Sequence, residues 1–379
     1  MTVYQKSESL QGADSRVPSD ILARLEQVAG RIASYDLTPV RASVLHDALE
    51  DLLDDPSHSY FPSFTLRPFV CEELRRLPDA LWPRYLIYRY RYEVHPAIPY
   101  LDRFPPCLQI EPTSVCNYRC TFCYQTDEDF TKKANGHMGF MTLERFQAAV
   151  DEAQKEHCEA VTLASRGEPL LHPDIVPMLA YLRGKFVASK LNTNAWFVDE
   201  VKSHALLQAD LNTLVLSVEA VSEPTYSQFR VGGKLEKVVE NIKRFAAIKR
   251  LHYPGSRTIV RVSGVRVPGT PTIEEMESFW GQYADQVAFV AYNPWENVYE
   301  HPMNNVTAHC SDLWRRMFVW WDGTVNPCDV DYKSTLAVGK FPEQSLSDLW
   351  MSEPYMSLRG KHLARERKAC SPCQRCTVV

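Results

Sequence analysis

The chain has 379 residues, 45% hydrophobic and 23% charged, the proportions of an ordinary globular protein long enough for two or three domains. A formal net charge of -5 gives no general attraction to nucleic acid. No run approaches the roughly 18 consecutive apolar residues of a membrane span, and the polar opening MTVYQKSESLQGADSR lacks the apolar stretch of a signal peptide, so a cytoplasmic location is expected.

Pro18-Ser19-Asp20 opens a helix in which Ile21, Leu22, Leu25, Val28, Ala29 and Ile32 recur at steps of three and four. Further helices are expected over 40–53 and 72–91, so residues 1–104 read as an all-helical region. Its stretch from Trp82 to Tyr92 alternates tyrosine with arginine. Such a stretch offers either stacking platforms for a nucleic acid or, the preferred reading, a helix with aromatic core contacts and snorkelling arginine stems.

Beyond Cys107 the pattern changes to short β-branched runs separated by amphipathic helices, the signal of repeated βα units and a parallel sheet. Strands are expected at 107–111, 160–164, 187–192, 213–218, 258–265 and 287–292, with helices at 143–156, 173–182 and 235–249. In parallel barrels the chemistry gathers at the C-terminal strand ends.

Eleven cysteines in such a chain point to metal or redox duty rather than disulfides. Cys116, Cys120 and Cys123, directly after the first strand, have a C-x3-C-x2-C spacing. A cubane 4Fe-4S cluster has four corners, so three thiolates leave one iron open. A zinc site or three buried cysteines are the alternatives, but structural zinc usually takes four ligands and no fourth Cys or His is adjacent. Cys71, Cys107 and Cys158 lie on apolar or helical stretches and read as small buried hydrophobes.

The run from Val115 to Tyr124, with Phe122 before the third cysteine, resembles the cluster signature of the radical S-adenosylmethionine (radical SAM) superfamily. The resemblance implies an α/β fold, a partial (β/α)6 barrel spanning 105–300. It also implies an open iron that binds S-adenosylmethionine, whose reductive cleavage gives a 5'-deoxyadenosyl radical. Hard chemistry of that kind belongs to the cofactor, while the protein supplies orientation. An electron donor of flavodoxin or ferredoxin type is then expected.

Five further elements carry the likeness. Gly167 and Glu168 follow the second strand and are similar to the motif that meets the cofactor's ammonium, although Arg166 stands where the family often has glycine. Asn192, in Asn192-Thr193-Asn194, ends the third strand and equally reads as a turn. Ser217 and Glu219 after the fourth strand resemble an element that contacts the ribose and methionine portions. Arg230 sits where relatives carry an arginine for the cofactor's carboxylate, and Gly264 could let adenine lie against backbone or mark a bulge.

In the last segment, 301–379, Cys310, Gly323 and Cys328 stand in a C-x12-G-x4-C pattern, followed by Cys370, Cys373 and Cys376. Asp322-Gly323 suggests a β-hairpin leading to Cys328. The pattern resembles the SPASM or shortened Twitch extension that binds auxiliary iron–sulfur clusters. Five thiolates fill one four-ligand cluster, with Cys370 and Cys373 the preferred partners of Cys310 and Cys328 and one cysteine spare; a zinc ribbon is the rival. The likeness implies dehydrogenation or epimerisation of a sugar, cyclitol or nucleoside-type metabolite, with peptide maturation or a non-catalytic iron–sulfur or zinc protein as alternatives.

Overall fold

The computed structural model describes residues 17–54 and 62–379; the polar opening at 1–16, read above as lacking a signal peptide, lies outside the described residues. Four helices come first: α1 (Ser19–Ala29), α2 (Pro39–Leu53), α3 (Pro68–Arg76) and α4 (Trp82–Glu93). The single helix expected over 72–91 is two. Leu77 is extended at φ -84°, ψ 140°, because a residue before proline is pushed out of the helical region, and Pro78 also has no N–H to donate. A short 3-10 turn, Asp79–Leu81, then leads into α4.

The helices bury Ile21, Leu25, Leu49, Leu74, Leu86 and Ile87 in a core of their own, each side chain adding about 1.5–3 kcal/mol of transfer free energy. That core also takes in Cys107, Ala160 and Val187, at the N-terminal starts of strands, so the helices close the bottom of the sheet. Tyr85, Leu86, Ile87 and Tyr88 of α4 are buried, which answers the Trp82–Tyr92 question in favour of core contacts. Cys71, Cys107 and Cys158 are buried as expected.

The strands are β1 (Cys107–Ile110), β2 (Arg119–Cys120), β3 (Ala160–Leu163), β4 (Ala188–Thr193), β5 (Thr213–Ser217), β6 (Arg230–Val231), β7 (Ile259–Arg266), β8 (Gln286–Ala291), β9 (Arg316–Val319), β10 (Thr324–Asn326) and β11 (Gly339–Lys340). Nine of them form one sheet in the order β11-β10-β9-β1-β3-β4-β5-β7-β8, and β2 pairs with β6. From β1 through β8 every neighbour in that sheet is parallel. The six strands expected from the sequence are therefore present.

After the short α5 (Glu128–Thr131), the crossovers carry α6 (Leu143–Lys155), α7 (Ile175–Leu182), α8 (Glu200–Gln208), α9 (Glu223–Phe229), α10 (Leu235–His252) and α11 (Ile273–Trp280). Their starts are written locally: Thr142 and Asp199 accept backbone N–H groups at the first turns of α6 and α8, and Thr272 with Glu275 forms a capping box on α11.

The C-terminal segment holds α12 (Asp312–Arg315), α13 (Leu346–Trp350) and α14 (Glu353–Leu363) around the β9–β10 hairpin. The hairpin turns at Gly323, whose φ of 91° suits glycine, and whose Cβ, if it had one, would lie 2.0 Å from the Phe341 carbonyl oxygen. The sequence did not indicate that β9 also pairs in parallel with β1, from Cys107 opposite Arg316 to Ile110 opposite Val319. This pairing seats the segment on the barrel's edge, and one apolar core runs through both.

Candidate active site

The loop after β1 carries the three cysteines across the strands' C-terminal ends, and backbone contacts fix it there. Thr113 Oγ1 accepts from Val115 N (3.0 Å) and donates to the Gly139 carbonyl (2.6 Å). Pairing of β2 with β6 sets Cys120 opposite Arg230, and Thr121 N donates to the Phe229 carbonyl at 3.0 Å. A Cβ on Gly167 would come within 2.3 Å of the Thr113 carbonyl oxygen, so only glycine permits this approach. Glu168 N then donates to the Val115 carbonyl at 2.9 Å. Two motifs about 45 residues apart in sequence are thereby joined through their main chains.

Cys116, Cys120, Cys123, Phe122, Gly167, Glu168, Asn192, Ser217, Arg230 and Gly264 all line one cavity of about 320 Å³. Glu168 is 2% exposed. Its Oε1 accepts from Leu170 N (3.0 Å) and Thr193 Oγ1 (2.7 Å), and its Oε2 from Asn194 N (2.7 Å). Of roughly four lone-pair sites on a carboxylate, one is left for a cation such as an ammonium. Asn192 Oδ1 and Ser165 Oγ are buried without a partner, a condition that a bound polar ligand would relieve.

Glu219 does not line the cavity. Both its oxygens accept from Arg230, Oε1 from Nε at 2.6 Å and Oε2 from Nη2 at 2.5 Å, while Arg230 Nη1 lies 3.5 Å from Cys120 Sγ. The arginine expected to reach a carboxylate of the cofactor thus holds a carboxylate of the protein. It also touches a cluster-type cysteine, and Glu219 reaches the cavity only through it.

Burial pushes the Cys116 thiol up to about 12 and raises Cys120 and Cys123 as well; bound metal reverses that preference by stabilising thiolate. A tetrahedral zinc with Zn–S near 2.3 Å holds its sulfurs about 3.8 Å apart. Among the described residues, the only three metal-type side chains within 4.8 Å of one another are the exposed His46, Asp47 and Glu50. Neither cysteine group is gathered that tightly.

Cys310, Cys328, Cys373 and Cys376 line a second, apolar cavity with Leu313, Val330 and Leu358. Cys370 stays outside this lining, so the set differs from the expected one by bringing in Cys376. The cause is local. Buried Arg367 donates to the carbonyls of Cys376 (3.0 Å), Val378 (2.9 Å) and Ala308 (3.0 Å), and Asn304 Nδ2 also donates to the Cys376 carbonyl at 3.0 Å. These bonds fold the last residues inward over Cys310.

Glu111 and Arg166 form a buried pair that motif reading missed. They are 0% and 4% exposed, bonded from Nε to Oε2 at 2.7 Å and from Nη2 to Oε1 at 2.6 Å. Arg166 Nη1 donates to the Tyr332 carbonyl (2.9 Å), its guanidinium stacks 4.2 Å from the Trp320 ring centroid, and Trp321 N donates to Glu111 Oε1 at 3.3 Å. The departure from glycine at 166 is a strut between the Gly167-Glu168 loop and the C-terminal segment.

A family model described as the radical SAM superfamily matches residues 110–260, and one described as an iron-sulfur cluster-binding domain, SPASM, matches 310–377. A GTP 3',8-cyclase of Peptoclostridium acidaminophilum is 29% identical over 143 residues, covering 37% of this chain and 42% of that protein, so the match spans less than half of the relative's length. Among solved structures, BtrN in complex with AdoMet and 2-DOIA aligns at a TM-score of 0.51 and 15% identity over 74% of this chain and 95% of that one. Streptococcus suis SuiB bound to precursor peptide SuiA aligns at 0.56 and 14% over 95% and 82%. At these identities the structures speak for the fold alone. The two matched domains imply a 4Fe-4S cluster, S-adenosylmethionine and a reductant, and the three-cysteine loop over the cavity fits them. The chain carries a radical SAM domain over residues 110–260 and a C-terminal SPASM domain over 310–377.

Proposed function

We propose that this enzyme is an oxidoreductase or epimerase that takes a hydrogen atom from a small molecule of the sugar, cyclitol or nucleoside type. Cys116, Cys120 and Cys123 would hold the S-adenosylmethionine-binding cluster, and Cys310, Cys328, Cys373 and Cys376 an auxiliary 4Fe-4S cluster. When bound, the reduced cluster and S-adenosylmethionine supply a 5'-deoxyadenosyl radical. In this reading the helices α1–α4 of the N-terminal region, 1–104, floor the site, 105–300 form the barrel and 301–379 carry the second cluster. A flavodoxin- or ferredoxin-type donor provides electrons.

The protein's own work is binding and orientation. Glu168 accepts the cofactor's ammonium with its remaining lone pair, and its three fixed donors hold the carboxylate so that little reorganisation is needed. Asn192 and Ser217 bond the ribose and methionine portions, and Phe122 packs beside the cysteines. Arg230 is a positioning residue: Glu219 fixes its fork so that one nitrogen faces Cys120 Sγ. The helices pack beneath the strands, against their N-terminal starts.

The observation that carries this reading is the meeting of Cys116, Cys120 and Cys123 with Gly167 and Glu168 on one cavity. A cavity of about 320 Å³ falls in the range of small-molecule sites. The test is anaerobic turnover with candidate deuterated metabolites. Deuterium appearing in 5'-deoxyadenosine identifies both substrate and attacked carbon; transfer only from a peptide would remove the small-molecule reading.

A further inference from the structure

Below the cysteine loop the cavity changes character. Asn192, Ser217 and Ser263 stand at its upper level, with Ser217 opposite Ser263 in the sheet. Two residues earlier on the same strands come Lys190 and Arg261, which share the inward face because side chains alternate along a strand. Two residues of strand amount to about 6.6 Å of depth. Arg316, at the start of β9, joins them in the lining. The lower lining also holds the carboxylate of Asp329 and the neutral Gln109 and Thr162, and Arg316 and Arg261 each have a carboxylate behind them, Asp312 and Glu73.

The two arginines are held from behind by the helical region. Arg316 Nε donates to the Tyr92 hydroxyl of α4 at 2.6 Å, and the Asp312 carboxylate lies 3.7 Å away. Arg261 Nε donates to Gln286 Oε1 at 2.7 Å, its guanidinium lies 5.6 Å from the Phe69 ring centroid of α3, and Glu73 stands at 3.8 Å. Arg261 Nη2, the atom 3.8 Å from the Glu73 carboxylate, makes no hydrogen bond. A fixed guanidinium fork that lines a cavity fits the paired oxygens of a carboxylate or phosphate.

We propose that the cavity floor is an anion subsite: the substrate carries a carboxylate or phosphate group that Lys190, Arg261 and Arg316 receive, with its reacting end about 6.6 Å higher, towards the cysteine loop. The inference rests on the functional reading above and narrows its substrate class. It also gives the N-terminal helices a task, because Tyr92, Phe69 and Glu73 aim the two guanidinium groups.

The test uses the full chain with both clusters reconstituted and S-adenosylmethionine saturating. Inorganic phosphate and acetate are titrated as separate probes at constant ionic strength, with binding followed by calorimetry. Wild type is expected to bind at least one probe, phosphate preferred if the group is a phosphate ester and acetate if it is a carboxylate. Arg261→Gln and Lys190→Gln should each weaken binding about tenfold, the loss expected for one charge-assisted bond. Arg261→Lys should restore part of it. Tyr92→Phe, which removes only the oxygen behind Arg316, should weaken it less. Iron content and S-adenosylmethionine affinity, measured on the same samples, should stay at wild-type values; their loss would count against the radical SAM site itself. Wild type that binds neither probe, or variants that bind as wild type does, would overturn the anion subsite.

Discussion

Replacing Arg166 with methionine isolates the strut between the cofactor loop and the C-terminal segment. The substitution keeps a long apolar stem against Trp320 but leaves the fully buried Glu111 with two backbone donors, Arg166 N at 3.1 Å and Trp321 N at 3.3 Å. It loses two charge-assisted bonds to Glu111 and one to the Tyr332 carbonyl. Removing one member of a buried pair typically costs about 3–5 kcal/mol, because the partner's charge is left uncompensated. That is a large part of the roughly 5–15 kcal/mol that holds a typical domain folded. Adding Glu111→Gln removes the stranded charge, so the double variant should recover part of the loss. The assay is urea unfolding of the four proteins of the cycle, with C-terminal proteolysis as a second reading of the strut. A loss under about 1 kcal/mol for Arg166→Met, the scale of an exposed pair, would refute the reasoning.

Three other outcomes follow from the geometry. Cys376→Ser should lower reconstituted iron from about eight to about four per chain, whereas Cys370→Ser should leave it near eight; equal losses would remove the assignment of Cys370 as spare. Cys120→Ser should abolish 5'-deoxyadenosine formation, and full turnover by that variant, followed chromatographically, would contradict the mechanism. His172 is buried, with Nε2 bonded to the Met141 carbonyl at 2.7 Å, and burial holds its pKa below the usual 6.5. The unfolded chain then binds the proton more readily than the folded one, so this group's contribution to stability is full above pH 6.5 and falls as pH drops below it. Urea midpoints at pH 7.5 and 5.5 should converge in His172→Gln; an unchanged pH dependence would exclude the residue as its source.

The barrel was legible because its strands are short β-branched runs between amphipathic helices, and the observed ends fall close to the expected ones. The break at Pro78 was also legible in principle, since Leu77-Pro78 carries its own stop signal, but the continuous helical periodicity around it masked that signal. Long-range geometry was not legible. Nothing local in Arg316–Val319 says that this strand will pair with β1, and nothing in Cys370, Cys373 and Cys376 says which two will turn towards Cys310; buried Arg367 decides that by gathering distant carbonyls. Lys190 did leave a trace, as the single cation of β4, and so did Arg261, which β7 carries together with Arg266 at its end. Their meaning appears only when the strands are placed side by side.

The claim on which the rest depends is that Cys116, Cys120 and Cys123 hold a cluster with one iron available to S-adenosylmethionine. Electron paramagnetic resonance of the anaerobically reconstituted, dithionite-reduced Cys310→Ser/Cys328→Ser protein, which retains only that triplet as a complete site, measures this directly. The account predicts a 4Fe-4S signal whose g-values shift when S-adenosylmethionine is added. A spectrum identical with and without S-adenosylmethionine would contradict it.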